Sequence, residues 1–206
     1  MKWSLPLIGA LVVAACTYQT SVSFAPDFKV GTSPQHRVEG RYLLVIDSGA
    51  DLTRRIHGSG LLCSSHSFNV DINPITRDLV GHTLAQVFEE VRFVAAPPTE
   101  QEMRDQDVDG VITVRVDRFT PWLTFHDDMT SSALTNLDVS VAVDAVSGPV
   151  FATSVRTVRR GGSGAACEGA ADAVARSVEF AIQDVLTQLV DQLVKSENLR
   201  KVPTRS

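Results

Sequence analysis

The sequence predicts an α+β domain in which a mixed or antiparallel sheet, with a C-terminal three-strand meander, is packed by two amphipathic helices. Three observations support this fold class. Apolar and polar residues alternate over residues 112–117 and again over 137–145, which is the period of half-buried strands. A Ser-Gly-Pro turn at 147–149 leads into a third strand at 150–160. A wide apolar stripe at helical spacing then runs along residues 168–195.

The first half of the domain supplies the other strands and the first helix. Residues 41–47 form a continuous apolar run, typical of a strand that is buried on both faces. Residues 56–71 predict a second strand or a hairpin. Asn73 precedes a proline and is the predicted N-cap of a helix over residues 74–91, where apolar residues recur at helical spacing. A short strand is predicted at 92–96.

The N-terminus has the pattern of a secretory signal. Lys2 precedes an apolar run that is too short to span a bilayer comfortably, and small residues lie directly before Cys16. This pattern resembles the lipobox of bacterial lipoproteins, and the resemblance implies that Cys16 is acylated and becomes the first residue of the mature protein. In such proteins an Asp after the cysteine favours the inner membrane, so Thr17 implies anchoring to the outer membrane, facing the periplasm.

This signal divides the 206-residue chain into four predicted parts. Residues 1–15 are the signal peptide, 16–38 the acylated cysteine and a flexible Ser-, Thr- and Pro-containing tether, 39–196 a single periplasmic domain, and 197–206 a disordered tail. The formal charge of −5 argues against a nucleic-acid partner, which requires a clustered basic face. No second apolar stretch approaches membrane-spanning length, so the lipid is the predicted anchor.

Two cysteines are left once Cys16 is assigned to the lipid. Cys63 and Cys167 form an even pair in an oxidising compartment, and we expect a disulfide between them. Two separate buried thiols are the alternative, because free cysteine is a common core residue.

The predicted order of elements is strand, strand, helix, strand, three-strand meander and helix. Together with the lipobox, this order resembles the small periplasmic lipoproteins of the YajG type and the fold of the N-terminal domain of TolB, which is also used in ring-forming outer-membrane secretion lipoproteins. The resemblance contains no diagnostic motif within the domain, so it implies no functional residues.

One motif suggests an enzyme. Residues 44–51 resemble the signature of aspartic proteases, in which Asp47 would activate water, and a retropepsin-like enzyme has one such copy per chain. That family also needs a later strand ending in glycine, but the candidate at residues 79–81 lies within the predicted helix. We therefore interpret residues 44–51 as a buried strand that ends in a turn, with the protease as a lesser alternative.

Other motifs are weaker. Asp105, Asp107 and Asp109 match the start of a calcium-binding EF-hand loop, but Val116 occupies the position of the bidentate glutamate, so an acidic turn is the favoured interpretation. The Gly-x-Gly at residues 162–164 lacks the third glycine of a dinucleotide loop. We expect no metal, no cofactor and no catalytic set.

Five residues are candidate partner contacts. The aromatic residues Trp122 and Phe125 would form an exposed tip, against protein or membrane, if they cap the end of the meander; packing in the core is the alternative. Arg156, Arg159 and Arg160 suit acidic partners or lipid headgroups, unless they pair with aspartates on neighbouring strands.

These features together favour a non-enzymatic subunit with a structural or assembly role in an envelope complex for secretion, transport or motor function. Its expected partners are the membrane, through the lipid, and envelope proteins, among them a second copy of the chain. An auxiliary lipoprotein that carries lipid or glycan for an envelope transporter is the alternative, and a deep apolar cavity between sheet and helices would favour it.

Overall fold

Two β-sheets, covered on one side by helices, make up the part of the chain that the structure describes. The computed structural model describes residues 18–21, 37–47, 49–59, 66–162, 164–165, 167 and 169–200. In chain order the elements are β1 (Tyr18–Ser21), β2 (Val38–Asp47), β3 (Thr53–His57), β4 (His66–Asp71), α1 (Asn73–Val87), β5 (Phe88–Phe93), α2 (Glu100–Asp105), β6 (Gly110–Phe125), β7 (Thr130–Ala145), β8 (Gly148–Arg160), β9 (Gly164–Ala165), α3 (Ala170–Lys195) and α4 (Glu197–Arg200). Among these helices none is both long and apolar enough to cross a membrane.

The larger sheet is mixed. Its strands follow the order β5-β2-β6-β7-β8, and the short β9 pairs with β7. Strand β2 lies parallel to both β5 and β6, whereas β6, β7 and β8 form an antiparallel meander. The predicted fold class, with its meander and two packing helices, is confirmed.

Strand β2 is buried on both faces, as its continuous apolar run predicts. Tyr42 and Leu44 point into the main core beneath the helices. Leu43 and Val45 point to the other face, where they pack with Met103 of α2. The helix α2 therefore covers the outer face of the sheet only near β2.

The long strand β6 changes its buried parity at a bulge. Val116 pairs with Val139, but the next paired residue is Arg118, so Asp117 is the extra residue. Before the bulge the even-numbered apolar residues are buried, and after it the buried residues begin with Phe119. The buried parity of β6 therefore switches at the bulge, which precedes the proline at 121.

Helix α1 is shorter than its pattern predicts. It ends at Val87, and Phe88 begins β5, which pairs with β2 from Val38 to Leu44. The predicted helix over 74–91 and strand at 92–96 are wrong at this boundary, because the apolar residues after Val87 also fit a strand beside β2. The N-cap is Ile72 rather than the predicted Asn73.

Helix α3 crosses the meander on its inner face. Most of its apolar stripe is buried against the sheet. Polar contacts fix its position on the sheet: the buried hydroxyls of Thr135 and Ser177 lie 2.8 Å apart, and Thr153 of β8 donates a hydrogen bond to Gln192. The tail predicted to be disordered from 197 onwards begins instead with α4, where Leu199 is buried because it joins the core.

The smaller sheet has the order β1-β4-β3. Strand β1 lies within the predicted tether, so residues 18–21 pair with the domain rather than serving as a spacer. Residues after β2 continue alongside the second half of β6: the amide of Ala50 donates to Val116 O at 2.9 Å, and Ser59 N donates to Leu123 O at 3.1 Å. The small sheet therefore lies beside the half of β6 that β2 does not reach.

Candidate interaction surface

The meander has one covered face and one face that the described helices leave open. Strand register places Trp122, Leu134 and Arg160 in one row across β6, β7 and β8, and Val158 lies in the adjacent row. Trp122 is 47% exposed and Val158 is 52% exposed. Two of the predicted contact residues, Trp122 and Arg160, thus lie on the same outward face.

Arg156 lies on this face too, but its charge is compensated. Its Nε lies 3.0 Å from both carboxylate oxygens of Asp138, and Arg118 Nε approaches Asp138 from the other side at 3.7 Å. Arg160 is exposed and forms no ion pair with the residues that the structure describes. The pairing expected from neighbouring strands therefore applies to Arg156 and not to Arg160.

The other two predicted contact residues lie on the covered face. Phe125 is only 8% exposed and packs against Gly58, where a Cβ would lie 1.8 Å from the ring. Arg159 lies 2.5 Å from Asp184 of α3. The alternation of β6 and β8 explains both placements, since these residues have the parity of the core positions.

Asp184 is the polar centre of the contact between α3 and β8. Thr157 donates a hydrogen bond to it, and Arg159 forms an ion pair with it. Partial burial would raise the pKa of Asp184, but the hydrogen bonds from Arg159 and Thr157 outweigh that effect, so its pKa is lowered. These contacts stabilise the packing of the helix on the edge strand.

An open cleft runs between β8 and α3 at the sheet edge. It has a volume of about 680 Å³, and its walls include Val158, Arg160 and Phe180. Phe180 is 46% exposed, although it belongs to a helix whose apolar stripe is otherwise largely buried. Strand β8 is the last strand of the larger sheet, so its second edge is unpaired by any strand in the described ranges.

The acidic turn at residues 105–109 binds strand β2 through Arg41. Asp107 pairs with the Arg41 guanidinium, and Asp109 accepts a hydrogen bond from Arg41 N at 2.8 Å. Gly40 has a φ of +106°, and a Cβ there would lie 2.6 Å from the Asp109 carboxylate. Asp105 instead accepts from a side chain of its own helix. Asp107 and Asp109 thus both bind Arg41, whereas Asp105 binds within α2, and the described residues contain no cluster of three metal-binding side chains.

The candidate catalytic aspartate of the protease-like segment, Asp47, is exposed. Asp47 is the last residue of β2, opposite Arg115 of β6. Residues 79–81 lie within α1, as predicted, and form no strand that could support Asp47.

One apolar cavity between α1, α3 and the sheet has a volume of about 20 Å³, which is room for about one water molecule. A larger cleft of about 570 Å³ lies between the start of α1 and the sheet, and it is open to solvent; its walls include Ile46, Pro74 and Phe93.

The cysteine predictions lie partly outside the described residues. Cys167 is disulfide-bonded, while Cys16 and Cys63 belong to ranges that the structure does not describe. The pairing of Cys63 with Cys167 and the acylation of Cys16 therefore stay predictions.

These features define an α+β domain in which α1 and α3 pack on one face of a mixed sheet, α2 covers part of the other face, and the described helices leave that other face open at the meander. The same fold is found in protein XCC0632 from Xanthomonas campestris, described by the family model DUF330: the TM-score is 0.53, the identity 13%, and the match covers 86% of this chain and 95% of that one.

Two other matches have lower TM-scores. The PelC dodecamer from Paraburkholderia phytofirmans has a TM-score of 0.39 at 15% identity, covering 75% of this chain and 87% of that chain. A minor lipoprotein from Acinetobacter baumannii has a TM-score of 0.34 at 11% identity, covering 80% and 96%. No protein-family model and no curated protein matches the sequence.

Proposed function

We propose that this protein is an outer-membrane lipoprotein that faces the periplasm and acts as a structural or assembly subunit of an envelope complex. The anchor in this proposal is Cys16, and the support for it is the lipobox pattern of residues 1–16. The partner surface is the edge of β8 together with the cleft beside it.

One observation carries the choice of surface. Val158 and Phe180 are each about half exposed, on either side of a strand edge that no described strand pairs with, and they lie next to Arg160, which forms no ion pair with a described residue. An open edge is a template for strand addition by another chain. Native proteins usually protect long edges, so its persistence here is consistent with an interaction site.

The charge of β8 favours a different protein over a second copy. The strand carries three arginines and no carboxylate. A symmetric antiparallel pairing of two β8 strands about Val158 would bring Arg156 of one copy opposite Arg160 of the other, and such like-charge pairs are destabilising. We therefore assign the edge to an extended partner segment that carries acidic residues.

Site-specific crosslinking in cells tests this assignment. A photoreactive amino acid at Val158 or Phe180 should form a crosslinked product of larger mass, and Arg160→Glu should reduce its yield. Phe93 is a matched control, because it is an exposed apolar residue on β5, at the opposite edge of the sheet. Equal products at all three positions, or none at Val158 and Phe180, would contradict the proposed surface.

The other candidate functions make separate predictions. A lipid or glycan carrier needs a deep apolar cavity. Among the described residues, the void between α1, α3 and the sheet holds about 20 Å³, and the larger cleft beside α1 is open to solvent, so the described cavities do not favour this function. A retropepsin-like protease needs Asp47, so Asp47→Asn should abolish function if that alternative holds. We expect Asp47→Asn to leave function unchanged.

A further inference from the structure

The register of the small sheet shows at which end of the domain strand β1 begins. Strand β1 runs parallel to β4, with Tyr18 opposite His66. Strand β4 is antiparallel to β3, where His57 lies opposite Ser67. Tyr18, the first residue of β1, is therefore level with the last residue of β3, at that end of the small sheet.

The same end carries the turn between β6 and β7. Ser59, two residues after β3, accepts a hydrogen bond from Phe125 N at 3.0 Å, and Phe125 is the last residue of β6. We call residues 126–129, which join β6 to β7, the hairpin tip. Strands β1 and β6 are separated by β4 and β3, so three strand spacings place them about 14 Å apart at this end.

The position of the lipid follows from chain length, and this step depends on the proposed function. Cys16 precedes Tyr18 by two residues, which span at most about 7 Å. An acylated Cys16 therefore attaches the bilayer at the end of the domain that carries the hairpin tip. Because residues 18–21 pair with β4, they do not act as a spacer between the lipid and the domain.

The hairpin tip exposes an apolar side chain in an unusual backbone conformation. Met129 is 61% exposed and has a φ of 63°. Positive φ is uncommon outside glycine, asparagine and aspartate, and it persists where surrounding contacts impose it. Here His126 N donates to Thr130 O at 2.8 Å, Met129 N donates to His126 O at 3.1 Å, and Asp128 accepts from Thr130 N at 3.1 Å. The turn thus holds a large apolar residue out in solvent.

Trp122 lies just behind this turn, on the outward face and three residues before the end of β6. Tryptophan suits the headgroup layer, where its aromatic ring is buried while its N–H group stays hydrated. Asp127 and Asp128 are exposed in the turn, and their need for hydration limits the contact to interfacial depth.

We propose that the hairpin tip and Trp122 rest in the headgroup layer of the membrane that the acyl chains of Cys16 enter. The domain then stands on this end, and the long strands of the meander rise from the lipid surface into the periplasm. Sixteen residues of β6 span about 50 Å at the rise of an extended strand. The opposite end of the sheet would lie at about that height.

The fluorescence of one residue tests this orientation. The chain has two tryptophans, Trp3 and Trp122, and Trp3 leaves with the signal peptide. The acylated protein is extracted from membranes and reconstituted into vesicles of phosphatidylethanolamine and phosphatidylglycerol, with and without brominated acyl chains. We expect the emission of Trp122 to move to shorter wavelength on reconstitution and to be quenched by the brominated lipid.

The matched control moves the tryptophan to the other part of the fold. In the double variant Trp122→Phe/Phe93→Trp, the reporter lies on β5, level with Ile112 near the start of β6, and should not be quenched. A Met129→Trp/Trp122→Phe variant should be quenched at least as strongly as the natural protein.

The outcomes separate the two proposals. If mass spectrometry finds Cys16 acylated but brominated lipid leaves Trp122 unquenched, the membrane contact is refuted and the anchor stands. Protection of Trp122 from aqueous acrylamide without quenching by lipid would assign the tip to a protein partner and also refute the contact. If Cys16 carries no acyl chain, both the anchor and the contact fail.

Discussion

Gly161, directly after β8, lies close against the backbone of α3, and Gly161→Ala is the sharpest test of this packing. A Cβ at this position would lie 1.9 Å from Ala173 O and 2.9 Å from Ser177 N, both in the backbone of α3. A real Cβ almost never lies within 3.0 Å of another heavy atom. The helix or the strand must therefore move apart by about 1.1 Å, because backbone atoms cannot turn aside.

That movement has a calculable cost. It would lengthen the 2.8 Å contact between the hydroxyls of Thr135 and Ser177 to about 3.9 Å, beyond hydrogen-bonding distance. Overpacking of a tight core costs about 1–3 kcal/mol, and a buried hydroxyl that loses its partner costs about 1–3 kcal/mol. We expect Gly161→Ala to lower the free energy of unfolding by about 2–6 kcal/mol, a large part of the stability of an ordinary domain.

Gly162→Ala is the matched control, because its nearest neighbour would be the flexible Arg176 side chain at 3.6 Å. Urea unfolding followed by circular dichroism, with the disulfide intact, should give a midpoint about 1–2 M lower for Gly161→Ala. The midpoint of Gly162→Ala should stay close to that of the natural protein. Equal midpoints for the two variants would refute the close packing of α3 against the end of β8.

Two further predictions concern pH. The pKa of Asp184 is lowered, so its ionised form, held by Arg159 and Thr157, stabilises the fold above the ordinary pKa of about 4, and this contribution is lost as the pH falls further. Asp184→Asn should therefore flatten the dependence of the urea midpoint on pH in that range. An unchanged slope would contradict the ion pair. Burial, with the charge of Asp109 adding to it, raises the pKa of Tyr42 to about 12, so the folded state holds this proton more tightly than the unfolded chain does. The free energy of unfolding should therefore fall by about 1.4 kcal/mol per pH unit between about pH 10 and 12, and Tyr42→Phe should remove that component; a variant with the same alkaline slope would show that Tyr42 titrates normally.

Periodicity predicted the elements that bury one continuous face. The three strands of the meander and α3 appear where alternation and the helical stripe place them, since each must cover apolar surface with its own residues. The continuous apolar run of β2 likewise predicted a strand buried on both faces.

The elements that depend on distant partners were harder to predict. Strand β1 consists of Tyr, Gln, Thr and Ser and has no apolar pattern; it forms a strand because its backbone pairs with β4. The boundary at Val87 was missed because apolar residues on either side of it fit a helix and a strand equally well. Pairing with β2 decides that the residues after Val87 form a strand rather than a continuation of the helix.

The candidate surface was predicted in part. Trp122 and Phe125 differ by an odd number of positions, so one strand must point them to opposite faces, and strand parity could have separated them. Val158 is an apolar residue at an outward position, and Phe180 lies off the main stripe of α3; both signals were present in the sequence. The positive φ of Met129 has no signature in its residue type.

The N-terminal mass of the protein extracted from membranes tests the central claim most directly. The account predicts that the mature chain begins at Cys16 with attached acyl chains, and that a non-reducing digest yields a peptide in which Cys63 is bonded to Cys167. A chain that retains residues 1–15, a Cys16 without lipid, or a disulfide between Cys16 and Cys167 would contradict it.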